Sequence, residues 1–296
     1  RWFRGAGLAR ALMAEAGRAS LFHAHMLWDH PVRAAWIAAR SAGKPLVVSP
    51  RGSLSEAWRR DALHKRLYRM FFLDGMLREL GAMHALNRHE AEQIREWGYG
   101  GRVEVIPNGL PASEYGRPRD VSPAVEKWPM LKDRKILLYM GRLWREKGLD
   151  ILLEAWADAG IWRDGWTLAL AGPDYRGFEK ELRALAAARG IEDSVLFTGL
   201  ATGAMKDALL GAARCFVLPS RSEGFSMALL EAMAAALPCI YTCGCHFPEL
   251  AKAGGGWEIE LSREALAGAL REIARLPDEA LREKGLGAME LGRREY

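Results

Sequence analysis

Cysteine is scarce in this sequence, with four thiols among 296 residues, at Cys215, Cys239, Cys243 and Cys245. Three of them lie near His246, but their spacing matches no common zinc pattern and no second pair of ligands follows. A chain of this length can bury a sizeable core without disulfides. The chain is interpreted as intracellular, so we expect reduced thiols in the core. We also expect no metal centre and no cofactor.

Long apolar runs are also missing. No stretch of about 18 uncharged apolar residues occurs, so the sequence predicts no transmembrane helix. The residues Arg1 to Gly5 neither begin with Met nor lead into the apolar core of a signal peptide. We expect a cytoplasmic protein, and a chain that is part of a longer one.

Acidic residues are slightly outnumbered, 37 against 42 basic residues, which gives a net charge of +5. This small excess suits an anionic ligand or an anionic membrane surface. The basic residues are too evenly spread to indicate nucleic acid as a partner. Half of the residues are hydrophobic, which is enough for two domains with cores of their own.

Short apolar runs alternate with helical patterns along the second half of the chain. Continuous apolar strands between helices are typical of a parallel sheet that helices cover on both faces. Strands are predicted at 136–140, 167–171, 195–197, 215–218 and 239–242, and helices at 149–157, 178–189, 204–213, around Glu231 and at 262–275.

The first half repeats this alternation more loosely. A polar stretch with several prolines separates the halves, from Pro107 to Lys135. The pattern again favours an α/β domain with a parallel sheet. Strands are predicted at 21–24, 46–49, 83–86 and 103–106, and helices at 32–42, 62–77 and 88–97.

One carboxylate stands in an otherwise apolar helix. Between Ser226 and Leu237 the only charged residue is Glu231, and its neighbours at three and four positions are Met and Ala. Because burial of an unpartnered carboxylate is costly, we expect a ligand hydroxyl or a distant basic residue to meet Glu231. The alternative is a surface glutamate on a narrow polar stripe. A second glutamate, Glu223, lies in the loop before this helix.

Small and charged residues follow each predicted strand of the second half. Ligands of doubly wound sheets bind beyond the carboxyl ends of the strands, where glycine lets backbone approach closely. Arg142 and Lys147 supply cations for a diphosphate, and the amides of Gly224, Phe225 and Ser226, at a helix start, favour an anion. Glu231 lies about 7.5 Å further along that helix, a spacing that suits the phosphate and sugar of one nucleotide.

Five motifs, in this order, resemble those of the retaining glycosyltransferases of family 4. The resemblance implies the GT-B architecture, an α/β fold with two Rossmann-like domains: an incomplete acceptor-side domain at 1–125 and a nucleotide-sugar-binding domain at 126–288. Residues 289–296 would begin a crossover segment. The motifs are Gly-Arg-Leu (141–143) with Lys-Gly-Leu-Asp (147–150), Ala-Gly-Pro (171–173), Phe-Thr-Gly (197–199), Pro-Ser (219–220) with Glu-Gly-Phe (223–225), and Glu-Ala-Met-Ala (231–234).

The resemblance also implies roles for residues. Arg142 and Lys147 would clamp the donor diphosphate and stabilise the leaving group. Glu223 would hold hydroxyls of the transferred sugar, and Glu231 would bind the ribose. His25, or alternatively His23, would lie on the acceptor side; the competing interpretation is a strand-end pair of histidines without a ligand. The residues that would line the donor are Gly141, Gly172, Thr198, Gly199, Gly224, Phe225 and Ser226.

The implied activity moves a sugar from a nucleoside-diphosphate sugar, a co-substrate, to a glycan or lipid-linked acceptor in bacterial surface polysaccharide synthesis, without a metal ion. Two alternatives stay open: a nucleotide-sugar-binding module without transfer activity, and a nucleotide-sugar epimerase on the same architecture. Arg51 stands where many relatives carry His, which leaves the acceptor role of that position open. The sequence does not specify the base, the sugar or the acceptor.

A basic stretch at 58–73 carries five basic residues against one acidic residue, interleaved with four aromatic residues. A basic amphipathic helix of this kind can bind an anionic membrane surface, which would place the protein peripherally at the inner face of a membrane. The alternative is a solvated helix whose aromatic side chains belong to the core.

Overall fold

The protein, seen in a computed structural model, is described for residues 7–54 and 69–296. It divides into two compact units, Arg1–Asn108 and Gly109–Tyr296. The boundary predicted after residue 125 lies within the second unit, because the helix Ser122–Lys127 packs against the helix Gly203–Ala212 of that unit. Both units are α/β with parallel sheets, as predicted.

The first unit contains a four-stranded parallel sheet in the order β1-β2-β3-β4. Its core lies between this sheet and the flanking helices, where Val48, Ala38 and Ile94 are fully buried. The predicted strands agree with the observed ones to within one residue at each end. The strands are β1 (Phe22–His25), β2 (Leu46–Ser49), β3 (Ala82–Ala85) and β4 (Val103–Val105), and the helices are Leu8–Glu15, His30–Ala42, Asp74–Glu79 and Arg88–Glu96.

The predicted basic stretch at 58–73, and most of the helix predicted at 62–77, lie outside the described residues. Of this region, the structure describes a π-helical turn, Arg69–Leu73, that leads into the helix Asp74–Glu79. Met70 and Phe71 are 59% and 66% exposed. Within the described ranges, no helix is long and apolar enough to cross a membrane.

The second unit contains a six-stranded parallel sheet in the order β10-β9-β8-β5-β6-β7. Every residue of β6 is buried, which agrees with helices on both faces of the sheet. Successive strands are added on one side up to β7 and then on the other side from β8, so the direction of winding reverses between β5 and β8. Such a switch point leaves a crevice at the carboxyl ends of the two strands. The strands are β5 (Lys135–Met140), β6 (Trp166–Ala171), β7 (Val195–Gly199), β8 (Ala213–Leu218), β9 (Cys239–Thr242) and β10 (Gly256–Ile259).

One strand and three α-helices of the second unit were not predicted. The strand is the edge strand β10. The helices are Ser122–Lys127, Pro248–Lys252 and Asp278–Glu295, the last of which includes most of the residues assigned to a crossover segment. A side chain at Gly285 would overlap the carbonyl oxygen of Ala236, so glycine lets this helix pack closely. The helices are Ser122–Lys127, Leu149–Ala159, Phe178–Ala188, Gly203–Ala212, Met227–Ala234, Pro248–Lys252, Arg263–Arg275 and Asp278–Glu295.

The cysteines agree with the prediction except at one position. Cys215, Cys239 and Cys245 are buried and free, whereas Cys243 is exposed and so is not a core thiol. Burial and the nearby Glu223 carboxylate raise the pKa of Cys245 to about 12, which keeps that thiol protonated. Among the described residues, no group of His, Cys, Asp and Glu could hold a metal ion.

Candidate functional site

The loops that follow β5 and β8 are tied together at the switch point. The amide of Arg221 donates to the carbonyl of Glu146 at 2.9 Å. Gly148 has a φ of +64°, and a Cβ there would overlap the carbonyl oxygen of Pro219. Glycine is therefore required at Gly148 both by the backbone conformation and by the contact between the loops.

A lysine and a glutamate meet where these two loops touch. Lys147 Nζ lies 2.6 Å from Glu223 Oε1, and the hydroxyl of Ser220 donates to the same oxygen at 2.6 Å. The Lys147 and Glu223 side chains are only 19% and 12% exposed. A carboxylate has acceptor sites on both oxygens, so Glu223 can accept further hydrogen bonds from a ligand. The structure thus brings together two predicted catalytic residues that are 76 positions apart.

Arg142, the second predicted diphosphate ligand, lies exposed on the same loop as Lys147. Its carbonyl accepts a hydrogen bond of 2.9 Å from the buried Tyr139 hydroxyl, which fixes the backbone at this point. Its guanidinium lies 5.5 Å from the centre of the Tyr175 ring. No carboxylate of the described residues is within ion-pair distance of Arg142, so its charge is available to an anion.

The helix Met227–Ala234 begins directly after the loop that carries Glu223. The Ser226 hydroxyl caps this helix by accepting from the amide of Leu229 at 3.2 Å. The Phe225 ring packs against the rings of Phe247 and Tyr296, with centroids 5.9 and 5.8 Å away. The amide of Glu223 itself is bonded to the carbonyl of Gly244. Ser226 and Phe225 therefore anchor the start of the helix beside Glu223.

Glu231 does have a basic partner, which comes from another helix. Lys206 Nζ, on the helix Gly203–Ala212, lies 2.8 Å from Glu231 Oε1, and the two side chains are 35% and 23% exposed. This confirms the expectation of a distant cation, and the partial exposure of both side chains leaves the alternative of a surface glutamate open. Glu231 also acts on Arg119. Burial lowers the pKa of Arg119, and the negative charge of Glu231 is among those that oppose this shift. Lys206 and Arg119 were not predicted.

The small residues at the other strand ends join neighbouring loops. The amide of Gly141 donates to Ala171, and the amide of Gly172 donates to Gly199, each at 2.9 Å. A Cβ on Gly172 would overlap the carbonyl oxygen of Gly141. The Thr198 hydroxyl donates to the carbonyl of Gly199 at 2.9 Å. Contact between loops accounts for Gly172 before any ligand is considered, while a role in lining a donor stays a prediction.

In the first unit, the carboxyl edge of the sheet carries a chain of hydrogen-bonded side chains. His84 Nε2 lies 2.7 Å from the carbonyl of Ile106, so it must carry a proton. In the Nε2–H tautomer of His84, Nδ1 accepts from the Ser49 hydroxyl at 2.7 Å, and Ser49 in turn accepts from His23 Nε2 at 2.7 Å. The sequence suggested His23 but not Ser49 or His84.

His25 stands beside this chain and belongs to the same edge. Its ring lies 4.5 Å from that of His23, and its Nδ1 accepts from Arg51 Nε at 3.3 Å. Arg51 also donates to Asn108 at 2.8 Å. Partial burial, followed by the charges of Arg51 and His84, lowers the pKa of His25. Both features favour a neutral His25 with its proton on Nε2.

Comparison with known proteins gives two family matches. The family described as "Glycosyl transferases group 1" matches residues 122–285, and the "Glycosyl transferase 4-like domain" matches residues 2–109. Together they cover both units of the structure.

Named relatives share this similarity along part of their length. The chain is 29% identical over 235 residues to a GDP-mannose:cellobiosyl-diphosphopolyprenol alpha-mannosyltransferase of Xanthomonas oryzae pv. oryzae, covering 79% of this chain and 58% of that protein. It is 31% identical over 153 residues to the lipopolysaccharide core biosynthesis mannosyltransferase LpsB of Rhizobium meliloti, covering 51% and 43%. The chain thus spans about half the length of the curated relatives it matches.

Solved structures confirm the fold. Anabaena Alr3699/HepE, in complex with UDP and glucose, superimposes with a TM-score of 0.82 at 20% identity, covering 99% of this chain and 80% of that one. Sucrose-phosphate synthase from Thermosynechococcus elongatus gives 0.77 at 22% identity, covering 97% and 73%. At this level of identity the likeness establishes a shared fold with two Rossmann-like domains.

Proposed function

The chain belongs to the family of group 1 glycosyl transferases, and from that premise we propose that it moves a sugar from a nucleoside-diphosphate sugar to a glycan or lipid-linked acceptor, with retention at the anomeric carbon. The observation that carries the proposal is the cluster of Lys147, Glu223 and Ser220 at the switch point of the second sheet. A cation and a hydroxyl-binding carboxylate side by side suit the phosphate and the sugar of one donor.

The donor would lie along the carboxyl edge of the second sheet. Arg142 and Lys147 would hold the diphosphate and stabilise the negative charge that develops on the leaving phosphate, a task that we assign to them without a metal ion. Glu223 would accept hydrogen bonds from hydroxyls of the transferred sugar. Glu231 would accept from the ribose, with its carboxylate held in place by Lys206 at 2.8 Å.

The remaining donor contacts would come from small residues and from backbone. The amides at the start of the helix Met227–Ala234 favour an anion by their direction and by the helix dipole. Gly141, Gly172, Thr198 and Gly199 would line the donor at the ends of β5, β6 and β7. Gly224, Phe225 and Ser226 would contribute through their backbone, since the Phe225 ring is engaged in aromatic packing.

Retention would follow from attack by the acceptor hydroxyl on the face of the sugar from which the nucleoside diphosphate departs. The bond from the anomeric carbon to the leaving phosphate oxygen breaks, a bond to the acceptor oxygen forms, and the leaving phosphate takes the acceptor proton. We assign His25 to the acceptor side. Its Nδ1 already accepts from Arg51, so a neutral His25 could not accept a hydrogen bond from the acceptor but could donate one through Nε2–H.

The acceptor class is suggested by the names of the relatives, which include a cellobiosyl-diphosphopolyprenol mannosyltransferase and an LpsB of lipopolysaccharide core biosynthesis. We propose a role in bacterial surface polysaccharide synthesis, at the cytoplasmic face of a membrane. Flotation with liposomes that contain anionic lipid tests the peripheral contact. Failure to float at low salt would exclude it and would leave the transferase proposal intact.

The direct test is a screen of UDP-, GDP- and ADP-sugars by thermal shift, followed by product analysis with oligosaccharide and lipid-linked acceptors. We expect one class of donor to stabilise the protein, and the product to keep the anomeric configuration of the donor in its nuclear magnetic resonance spectrum. Inversion would contradict the retaining mechanism. An epimerised donor formed without acceptor would indicate an epimerase, and binding without transfer or hydrolysis would indicate a binding module.

A further inference from the structure

The loops after β5 and β6 continue to pair beyond the ends of their strands. The amide of Leu143 donates to Pro173 at 2.9 Å, and the amide of Tyr175 donates to Leu143 at 3.2 Å. Leu143 and Asp174 form an isolated parallel bridge, and the Leu143 side chain is fully buried. The two loops therefore form one fixed surface rather than two independent turns.

This pairing brings two aromatic side chains together at the edge of the sheet. The rings of Trp144 and Tyr175 meet edge to face, with centroids 4.8 Å apart and planes at 85°. Both residues are half-buried, so part of each ring remains accessible. The carbonyl of Trp144 accepts from the amide of Lys147 at 2.9 Å. The aromatic pair thus adjoins the turn that carries the proposed diphosphate ligand.

Two arginines converge on the same pair of rings. Arg176 lies 5.2 Å from the centre of the Tyr175 ring and 5.5 Å from that of Trp144, and Arg142 lies 5.5 Å from Tyr175. Both arginines are exposed. Across the part of the chain that the structure describes, neither has a carboxylate within ion-pair distance. Both guanidinium groups therefore place positive charge beside the Tyr175 ring, which favours an anionic ligand there.

The nearby carboxylates are engaged elsewhere. Asp174 accepts from the amide of Glu179 at 3.0 Å, at the start of a helix. Glu179 pairs with Arg183 at 2.7 Å, and Glu181 pairs with Arg145. None of these groups neutralises Arg142 or Arg176, so the surface keeps a positive charge.

The backbone at Arg176 is in an unusual conformation. Its φ is +61°, in the left-handed region that side chains other than glycine seldom adopt. Its guanidinium lies near both aromatic rings. Backbone strain of this kind concentrates at sites that bind ligands, which makes the position a candidate for function.

We propose that Trp144, Tyr175 and Arg176, with Arg142 as a shared wall, form an acceptor subsite that takes a phosphorylated saccharide. The apolar face of a sugar ring packs on an aromatic face, and guanidinium groups bind phosphate oxygens through paired, charge-assisted hydrogen bonds. The assignment to the acceptor rests on the proposed transferase function. The subsite would select acceptors with phosphate close to a sugar, and it would lie beside the donor without using Lys147 or Glu223.

Calorimetric titration tests the subsite with α-D-glucose 1-phosphate as the probe, and with glucose and inorganic phosphate as its two halves. The titration is run while the nucleoside diphosphate that most stabilises the protein saturates the donor site. We expect glucose 1-phosphate to bind at least about tenfold more tightly than either half, since it engages rings and arginines together. Complete displacement of the probe by the nucleoside diphosphate would place it in the donor site and overturn the proposal.

Variants then assign the binding. Arg176→Gly removes the guanidinium while suiting the left-handed backbone, and we expect it to weaken probe binding by about tenfold. Tyr175→Ala should have a similar effect. The matched control is Arg163→Ala, since Arg163 lies 4.2 Å from the Trp162 ring in the turn before β6, at the opposite edge of the sheet. Equal binding by Arg176→Gly and Arg163→Ala would overturn the subsite.

The two proposals can fail separately. If no nucleoside-diphosphate sugar binds, the proposed function fails, and the probe is then titrated against Lys147→Ala. Loss of binding in that variant would assign the probe to Lys147 rather than to the subsite. If donors bind and are turned over but Arg176→Gly leaves the acceptor KM unchanged, the subsite fails alone. A raised acceptor KM, with kcat and donor KM unchanged, is the result that the subsite predicts.

Discussion

The carboxyl edges of the two sheets use different chemistry. In the second unit the edge is built from ion pairs, Lys147 with Glu223 and Lys206 with Glu231. In the first unit the edge is built from imidazoles joined through Ser49, which is itself fully buried. The first arrangement carries fixed charge, and the second carries protons that can move.

The difference fits the division of labour in the proposed reaction. A diphosphate needs positive charge that does not vary with pH near neutrality, and lysine and arginine supply it. An acceptor hydroxyl carries no charge, so the groups near it need only donate and accept hydrogen bonds. Neutral histidine does both, one role on each ring nitrogen, and in His25 Nδ1 accepts from Arg51 while Nε2–H is left to donate to an acceptor hydroxyl.

Lys147→Ala should have the largest effect. We expect turnover to fall by about 10²–10³-fold, because in the proposed reaction Lys147 stabilises the charge on the leaving phosphate. It should also melt at a lower temperature, since it leaves the Glu223 carboxylate, only 12% exposed, without its cation. Initial rates with the donor found by thermal shift, measured well below the melting temperature, check the prediction.

Two further variants control that experiment. Lys132→Ala removes an exposed lysine of the same unit and should leave turnover unchanged. Lys147→Arg keeps the charge and should recover part of the activity. Wild-type turnover in the Lys147→Ala protein would remove Lys147 from the site and would weaken the contrast between charged and neutral edges.

Glu231→Gln should come next in size. The amide keeps the shape of the side chain but loses the charge that strengthens hydrogen bonds from ribose hydroxyls. We expect the dissociation constant of the donor to rise by about tenfold, with a smaller change in kcat. Calorimetric titration with the donor measures it, with Glu126→Gln, an exposed glutamate on the helix Ser122–Lys127, as the control. Unchanged donor affinity would show that the ribose lies elsewhere.

Lys206→Met tests whether the second ion pair acts as a unit. Lys206 holds Glu231 from 2.8 Å, so we expect its loss to free the carboxylate and weaken donor binding by about three- to tenfold. The double variant Lys206→Met/Glu231→Gln should bind no worse than Glu231→Gln alone, because the lysine then has no carboxylate to position. Additive losses would mean that Lys206 contacts the donor by itself.

The elements of the second unit differ in how well the sequence predicts them. The strands of the second unit are continuous apolar runs between helices, and this signal places β5, β6, β8 and β9 closely. The edge strand β10 contains Gly256 and is only partly buried, so its pattern is weak. The helix Asp278–Glu295 contains three glycines, which lower helix propensity but allow close packing.

The residues of the candidate site also differ in how clearly the local sequence marks them. Lys147 and Glu223 stand in motifs with small residues around them, so the sequence marks both. Lys206 has no such context and resembles any lysine on a helix, although it meets Glu231 across 25 positions. His84 is a lone histidine in a strand, and only the parallel pairing of β1, β2 and β3 brings it to Ser49 and His23. Contacts between residues that only the fold brings together cannot be recognised from the local sequence.

The smallest expected effect concerns the pH dependence of the first unit. Partial burial comes first, followed by neighbouring charges, among the causes that lower the pKa values of His23 and His25 below the ordinary 6.5. The groups that face them are His84 and Arg51. A folded pKa below the unfolded one means that the folded state binds fewer protons. The stability that the neutral imidazoles contribute is therefore complete above about pH 6.5 and is lost as the pH falls through the lowered values.

Hydrogen exchange read by mass spectrometry, corrected for the intrinsic pH dependence of exchange, can separate the two edges. Between about pH 7.5 and 5.5, roughly one unit on either side of the ordinary histidine pKa, we expect peptides from β1 and β2 to lose protection, while peptides from β5 and β8 keep it. The variant His23→Gln/His25→Gln should flatten the response of the first unit, because glutamine does not titrate. Equal loss of protection in both units, or an unchanged response in that variant, would show that the imidazoles do not distinguish the two edges.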